Sequence, residues 1–371
     1  MNPFVYGAAV SGRNFCPRPK LNKKLKGLII SGQNVLVHGE RRTGKTSLVY
    51  ETCQKLRNKY SMIYIDFNEI IEIETFYRKL LYALMDIEEK NKSFMQMITK
   101  GLKSLRPTVS YDYINNTPTI SFKALDDNKN NVESIEEAIE LIGTVANRHK
   151  LIVVFDEFQN ILKMKNSSIV LAALRSRIQF QTDIPYIFAG SIRNDMDEIF
   201  HNPESPFFKS AMTLTVEEIP ESLFFKFIEE KFAISNRRIE RDLFRKIEDL
   251  TDGIPGDIQQ LCKALWNNSN NNDTITETHI QLAIKDISRE FLKTWQNYIN
   301  MLTPHQIKIL KGLAYFDGQH VNSIDFLNYT GIKQPSSVTR GIKKLEKLRL
   351  VFRNGNYKFT DPFFKKWILT I

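Results

Sequence analysis

Eight consecutive residues, Gly39-Glu40-Arg41-Arg42-Thr43-Gly44-Lys45-Thr46, have the types and spacing that cradle a phosphate chain. They fit G-x-x-x-x-G-K-[ST], in which glycines let the backbone fold tightly enough to aim several N–H groups at one anion. A helix starting here adds its partial positive charge to the same point. Lys45 is expected to reach the β- and γ-phosphates, and the Thr46 hydroxyl to ligate Mg²⁺. Gly39, Arg42, Thr43, Gly44 and Ser47 complete the expected nucleotide-binding set.

A second group of reactive residues ends the apolar run Leu151-Ile152-Val153-Val154-Phe155. Asp156 and Glu157 stand where the carboxyl end of a buried parallel strand exposes side chains to a ligand. Asp156 is expected to hold Mg²⁺ together with Thr46, and Glu157 to orient and deprotonate an attacking water. Ser191, after Tyr186-Ile187-Phe188-Ala189-Gly190, is either a γ-phosphate sensor or a turn residue. Gly253-Ile254-Pro255-Gly256 opens a later helix, and Pro255 is expected beside the nucleotide unless the segment is only a helix-initiating turn. Arg175, Arg177 and Arg193, with Lys209 as a weaker substitute, are candidates for a finger acting in trans; none is assigned.

These groups need a scaffold that brings strand ends together. Gln33–His38 reads as the strand before the phosphate loop and Ser47–Asn58 as the helix after it. Ser61–Asp66, Leu151–Phe155, Tyr186–Ala189 and Met212–Val216 read as further strands, with helices over Thr75–Ile87 and Ser168–Phe180. Alternating strands and helices predict an α/β fold, a doubly wound parallel sheet of the P-loop type, over residues 1–218. Pro107–Tyr113 and Thr119–Lys123, flanking Asn115-Asn116-Thr117-Pro118, predict a β-hairpin insertion at about 106–124. A strand between the phosphate-loop strand and the Asp-Glu strand, and the acid after Asp156, point to the hydrolysing AAA+-like division of P-loop proteins.

From Glu221 the pattern becomes helical, predicting an all-α lid over 219–298 with stripes at Ile258, Leu261, Cys262, Leu265, Trp266 and at Ile280, Ala283, Ile284, Ile287. The asparagine-rich 267–273 reads as a loop. Residues 299–371 predict a winged helix: a capping box at Thr303–Gln306, three short helices, and a hairpin turning at Asn354-Gly355. On its third helix Val338, Ile342, Leu345 and Leu348 mark the buried side. Arg340, Lys343, Lys344 and Lys347 fall opposite, where they would meet DNA phosphates unless they are simply a solvated lysine-rich face.

Charge favours the DNA reading. The net charge is +10, yet Thr303–Ile371 holds 12 Lys and Arg against 4 Asp and Glu, leaving 40 against 38 elsewhere. Apolar content of 42% is enough for a substantial core. The three cysteines, Cys16, Cys53 and Cys262, have no metal or disulfide spacing and suit a reducing compartment. No apolar segment approaches the length that spans a membrane, and the first residues lack a signal-peptide pattern, so a cytoplasmic protein is expected.

With these motifs placed, the chain resembles the archaeal-type ATPases, P-loop proteins of the AAA+/STAND kind near the origin-recognition initiators. The resemblance covers almost the full length. It rests on Phe15-x-x-Arg18, Gly39–Ser47, Asp156-Glu157-Phe158-Gln159, Gly190-Ser191, Pro206-Phe207-Phe208, Gly253-Ile254-Pro255 and Thr360-Asp361-Pro362-Phe363-Phe364-x-x-Trp367. It implies ATP or ADP with Mg²⁺ as ligands, and a slow, switch-like ATPase whose winged helix meets double-stranded DNA, a protein partner or another copy of the chain. The chain departs from the pattern at Pro19-Lys20-Leu21, where an acid is usual, at Gln259-Gln260, where initiators carry a sensor arginine, and at Lys209-Ser210, where many relatives have an arginine. Hydrolysis driven by a trans arginine is thereby disfavoured. The alternatives are a DNA-binding protein with a structural nucleotide and a regulatory subunit of a defence or mobile-element system.

Overall fold

The computed structural model describes residues 1–88, 105–112, 117–124, 130–191 and 194–371. The chain divides into two compact units, one of Ala9–Glu217 and one of Met1–Ala8 with Glu218–Ile371.

In the first unit the strands are β1 (Val35–Gly39), β2 (Ser61–Asp66), β3 (Leu105–Asp112), β4 (Thr117–Ala124), β5 (Leu151–Asp156), β6 (Tyr186–Ser191) and β7 (Met212–Thr215). All but β3 and β4 form one parallel sheet in the order β2-β5-β6-β1-β7. The helices are α1 (Pro19–Ile30), α2 (Lys45–Leu56), α3 (Ile73–Ile87), α4 (Asn130–Ala146), α5 (Ser167–Ile178) and α6 (Asn194–Phe200). β5 and β6 are buried at every position, which explains their unbroken apolar runs. β2, at an edge, alternates instead.

The order corrects one expectation. In space the strand separating β1 from β5 is β6; β2 lies beyond β5 at the sheet edge. The hairpin forms as an antiparallel pair with Asp112 opposite Thr117. Tyr113, Asn115 and Asn116 of the expected turn lie outside the described residues.

Registers fix the working edge. Gly39 lies opposite Ser191, and Asp66 opposite Asp156. Beneath one face, Phe158 is fully buried among Phe67, Phe155, Phe188, Phe200 and Phe207, with ring centroids 4.9–6.1 Å away. The phenylalanine of the Asp-Glu-Phe-Gln string and Phe207 of the Pro-Phe-Phe string are therefore packing residues. They hold the loop after β5 down on the sheet, while Phe208 is partly exposed.

The second unit is helical except for its last hairpin. Its elements are α7 (Glu221–Ala233), α8 (Arg241–Leu250), α9 (Pro255–Asn267), α10 (Glu277–Asn300), α11 (Pro304–Tyr315), α12 (Ile324–Thr330), α13 (Pro335–Lys347), β8 (Val351–Asn354), β9 (Asn356–Phe359) and α14 (Pro362–Ile368). The first eight residues pack here: Phe4 is buried against Phe232 and Trp266, and Lys231 Nζ donates to Pro3 O at 2.7 Å. Arg237 folds over Trp266 and donates to Ser269 and Asn271, which gives the asparagine-rich loop a structural role.

The winged-helix elements appear where expected, with the Thr303–Gln306 capping box formed in both directions. Gly341 lets α13 press onto α11, since a Cβ there would collide with Ile309. Gly355, at φ +65°, closes the β8–β9 turn in the left-handed region that glycine adopts freely. Two features were not expected. α10 runs unbroken for 24 residues, packing on α9 and on the added C-terminal α14. Within that contact Asp361 caps α14 through the Phe363 and Phe364 N–H groups, and Trp295 Nε1 donates to its other oxygen at 3.0 Å. Asp361→Ala would remove a cap and strand a buried indole donor. The expected loss is about 2–4 kcal/mol, read as a lower midpoint in denaturant unfolding.

Candidate functional site

The phosphate loop joins β1 to α2. Its turn is set by Gly44, at φ +88°, where a side chain would be strained. Gly39 is pressed against the chain beside it: a Cβ there would lie 2.8 Å from Val216 O. Arg42 also takes a positive φ, 65°. Lys45 is 5% exposed, and its Nζ donates to Gly39 O at 3.2 Å and Glu40 O at 2.7 Å, so the ammonium lies inside the loop. Thr43 and Ser47 are buried. Thr43 Oγ1 donates to Glu40 O, and Ser47 Oγ accepts the Val10 N–H.

Across the sheet edge Thr46 Oγ1 donates to Asp156 Oδ2 at 2.7 Å, bringing together the two side chains expected to bind Mg²⁺. The same carboxylate oxygen accepts Tyr64 OH at 2.6 Å. Burial, then the Asp156 charge, raises the Tyr64 pKa, so the phenol stays a donor throughout the working range. One carboxylate and one hydroxyl are hard oxygen donors of the kind Mg²⁺ takes when substrate phosphates and water fill the remaining positions. Among the described residues no group of three or more His, Cys, Asp or Glu side chains gathers to hold a metal ion without such help. The donor set therefore fits a nucleotide-borne Mg²⁺.

Glu157 follows Asp156 with φ 49° and ψ 38°, a left-handed conformation that costs a non-glycine residue on the order of 1 kcal/mol. Its N–H donates to Asp156 Oδ1 at 3.0 Å, and its Oε2 accepts Gln159 Nε2 at 2.5 Å. Gln159 is buried, and its Oε1 has no hydrogen-bond partner. That oxygen faces Gly190, where a Cβ would strike it and would lie 2.8 Å from Met196 Sδ. Ser191, buried at the end of β6, sits beside Gly39 in the sheet register. Lys45, Thr46, Asp156, Glu157 and Ser191 thus share one edge.

Pro255 belongs to the second unit, at the first position of α9, after Gly253 at φ +68°. Arg177 is committed to Glu136 and Glu140, each at 2.7 Å, which disfavours it as a finger. Lys209 lies over the Phe208 ring, and Arg193 is outside the described residues. Arg340, Lys343, Lys344 and Lys347 are all exposed on α13, opposite buried Val338, Gly341, Ile342 and Leu345.

Tyr64, Gln159 and Arg18 touch this group although their residue types and spacing do not mark a role there. Tyr64 looks like an ordinary strand residue, although its place two before the strand-ending Asp66 puts it on the face of that acid. Gln159 and Arg18 stand in recognised strings, but no pattern of residue types tells a contact with Glu157 or Thr43 from a packing role.

Residues 18–261 match a family model described as an ATPase domain predominantly from Archaea, and residues 293–370 one described as a probable winged helix domain. No curated protein matches the sequence. Among solved structures, the Walker-type ATPase paby2304 of Pyrococcus abyssi superposes with a TM-score of 0.63 over 100% of both chains at 18% identity. The ORC1 protein of Aeropyrum pernix, solved in complex with DNA, gives 0.53 at 12% identity, covering 98% of this chain and 93% of that one. The ADP form of the Aeropyrum pernix ORC2 protein gives 0.51 at 12% identity, covering 97% and 96%. At these identities the likeness is one of fold. Among the described residues no helix is long and apolar enough to cross a membrane.

Proposed function

Because this chain belongs to the family of ATPase domains found predominantly in Archaea, we propose that it is an ATP-dependent molecular switch whose winged helix binds double-stranded DNA in a nucleotide-dependent way. One observation carries the reading: the Thr46 hydroxyl lies on Asp156, at an edge that also gathers Lys45, Glu157 and Ser191. Bound Mg²⁺ would neutralise phosphate charge. The chain's own residues supply the rest. Lys45 and the loop N–H groups bind the phosphates, Tyr64 and Thr46 orient Asp156, and Glu157 takes the proton of an attacking water. The engagement of Glu157 by Gln159 supports slow turnover, because that hydrogen bond must loosen before the carboxylate can meet water. The same hydrogen bond favours a second reading, a nucleotide held for structure and never turned over.

The DNA part draws on four exposed cations on one helix face and the charge excess of the last 69 residues. The test is ATP turnover by the purified chain with and without double-stranded DNA, with Glu157→Gln as the blank. Stimulation by DNA is expected. Turnover indifferent to DNA would send the winged helix to a protein partner, and no turnover above the blank would favour the structural nucleotide. Replacing Arg340, Lys343, Lys344 and Lys347 together should flatten the slope of log K against log salt by roughly 0.9 for each phosphate no longer neutralised. An unchanged slope would remove this face from the DNA interface.

A further inference from the structure

The chain crosses between its two units twice, between Ala8 and Ala9 and between Glu217 and Glu218. Both crossings are fastened, within the first unit, to the phosphate loop or its helix. After the first, the Val10 N–H donates to Ser47 Oγ at 3.1 Å and the Gly12 N–H to Glu51 Oε2 at 2.8 Å. Ser47 and Glu51 are buried in the first two turns of α2. Before the second, the Val216 N–H donates to His38 O at 2.7 Å, and Val216 lies against Gly39. Arg18 spans the remaining gap. Its Nη1 donates to Glu217 O at 2.8 Å, and its Nη2 donates to Thr43 O.

Arg18 is 6% exposed and has no carboxylate partner among the described residues. Burial without a compensating acid brings its pKa down to about 10, so it remains a cation at neutral pH. Burying a guanidinium that carbonyls alone satisfy is costly, and the cost is borne here where the side chain bridges Glu217 and Thr43. Thr43 C=O and Gly44 N–H belong to one planar peptide unit. Arg18 grips the carbonyl end of that plane. The N–H end is of the kind that phosphate-loop proteins turn toward the anion. An anion on the N–H polarises the whole amide, strengthens the bond at its carbonyl and fixes the plane.

We propose that the phosphate loop is the common fastening point of both crossings, and that Arg18 is the positioning residue that passes its occupancy to Glu217. This deepens the switch and rests on the nucleotide-binding reading. Loading the loop stiffens residues 216–219 through Arg18, and residues 9–12 through α2.

Amide hydrogen exchange on the full chain, with and without ADP and Mg²⁺, tests it. In the wild type, ligand should slow exchange about tenfold at 39–47, and measurably at 9–12 and 216–219. Arg18→Met should still slow exchange at 39–47, by less than the wild type because the coupling is reciprocal, and lose the response at 216–219. Glu51→Ala should lose it at 9–12 and keep it at 216–219. Should Arg18→Met fail to fold, Arg18→Lys decides: one ammonium cannot span both carbonyls, so the response at 216–219 should fall by half or more. An undiminished response at 216–219 in the folded Arg18 variant overturns the proposal. So does a wild type that is slowed at 39–47 but at neither crossing. No slowing at 39–47 in the wild type would instead sink the nucleotide reading, and this inference with it.

Discussion

Lys45→Ala is expected to abolish nucleotide binding at ordinary ATP concentrations while leaving the chain folded. The ammonium is 5% exposed and already lies inside the loop, on the carbonyls of Gly39 and Glu40. When phosphate arrives, a preformed cation meets a dianion without first leaving bulk water, so the attraction acts at low effective dielectric. A hydrogen bond to a charged group contributes roughly 1.5–3 kcal/mol, and losing it where charge is concentrated should weaken ATP by about two orders of magnitude. The fold should tolerate the change, because Lys45 is not a core hydrophobe and truncation to Ala removes the buried charge with the chain that carried it. Calorimetric titration with ATP and Mg²⁺, beside a thermal melt, separates the two effects. Wild-type affinity in a folded Lys45→Ala protein would mean that the loop is not the phosphate site.

The parts of this protein readable from its residues are those whose physics is local. The phosphate loop was legible because glycine placement, lysine and hydroxyl all serve one anion within eight residues. The α13 cations were legible because helical periodicity alone sets them opposite Val338, Ile342 and Leu345, and they are exposed there. What could not be read depends on which strands lie side by side. A parallel strand pairs through a crossover, so chain order does not give sheet order. β6, fourth of the sheet strands along the chain, separates β1 from β5, and this puts Ser191 beside Gly39. Tyr64 escaped assignment for the same reason, since its partner Asp156 ends another strand; Gln159 escaped because its contact with Glu157, two residues away, depends on the left-handed turn at Glu157. The Met1–Ala8 segment has no periodicity of its own, and only tertiary contact assigns it to the helical unit. α10 hid its length because its apolar positions, Ile280, Ala283 and Ile287 and then Trp295, serve two neighbours in turn.

Glu157→Gln is expected to bind ATP as the wild type does and to turn it over at least about a hundredfold more slowly, the range associated with losing one general base. The amide matches the carboxylate in size and can still meet Gln159 by rotating its carbonyl oxygen toward the Nε2 donor, so the left-handed turn after β5 should persist. Asp156, which accepts the Thr46 and Tyr64 hydroxyls, is untouched, and affinity for nucleotide with Mg²⁺ should change by less than about threefold. The amide cannot take a proton from water, and that is the whole of the intended difference. Single-turnover hydrolysis of radiolabelled ATP, with affinity measured separately, gives both quantities. Equal turnover by the two proteins would sink the assigned role of Glu157 while leaving the phosphate loop intact. A joint loss of affinity and turnover would mean instead that the carboxylate shapes the nucleotide site. A selective loss of turnover would leave a protein that holds ATP indefinitely, and its DNA affinity, compared with that of the ADP-bound wild type, would measure directly how much free energy the nucleotide state commits to the winged helix.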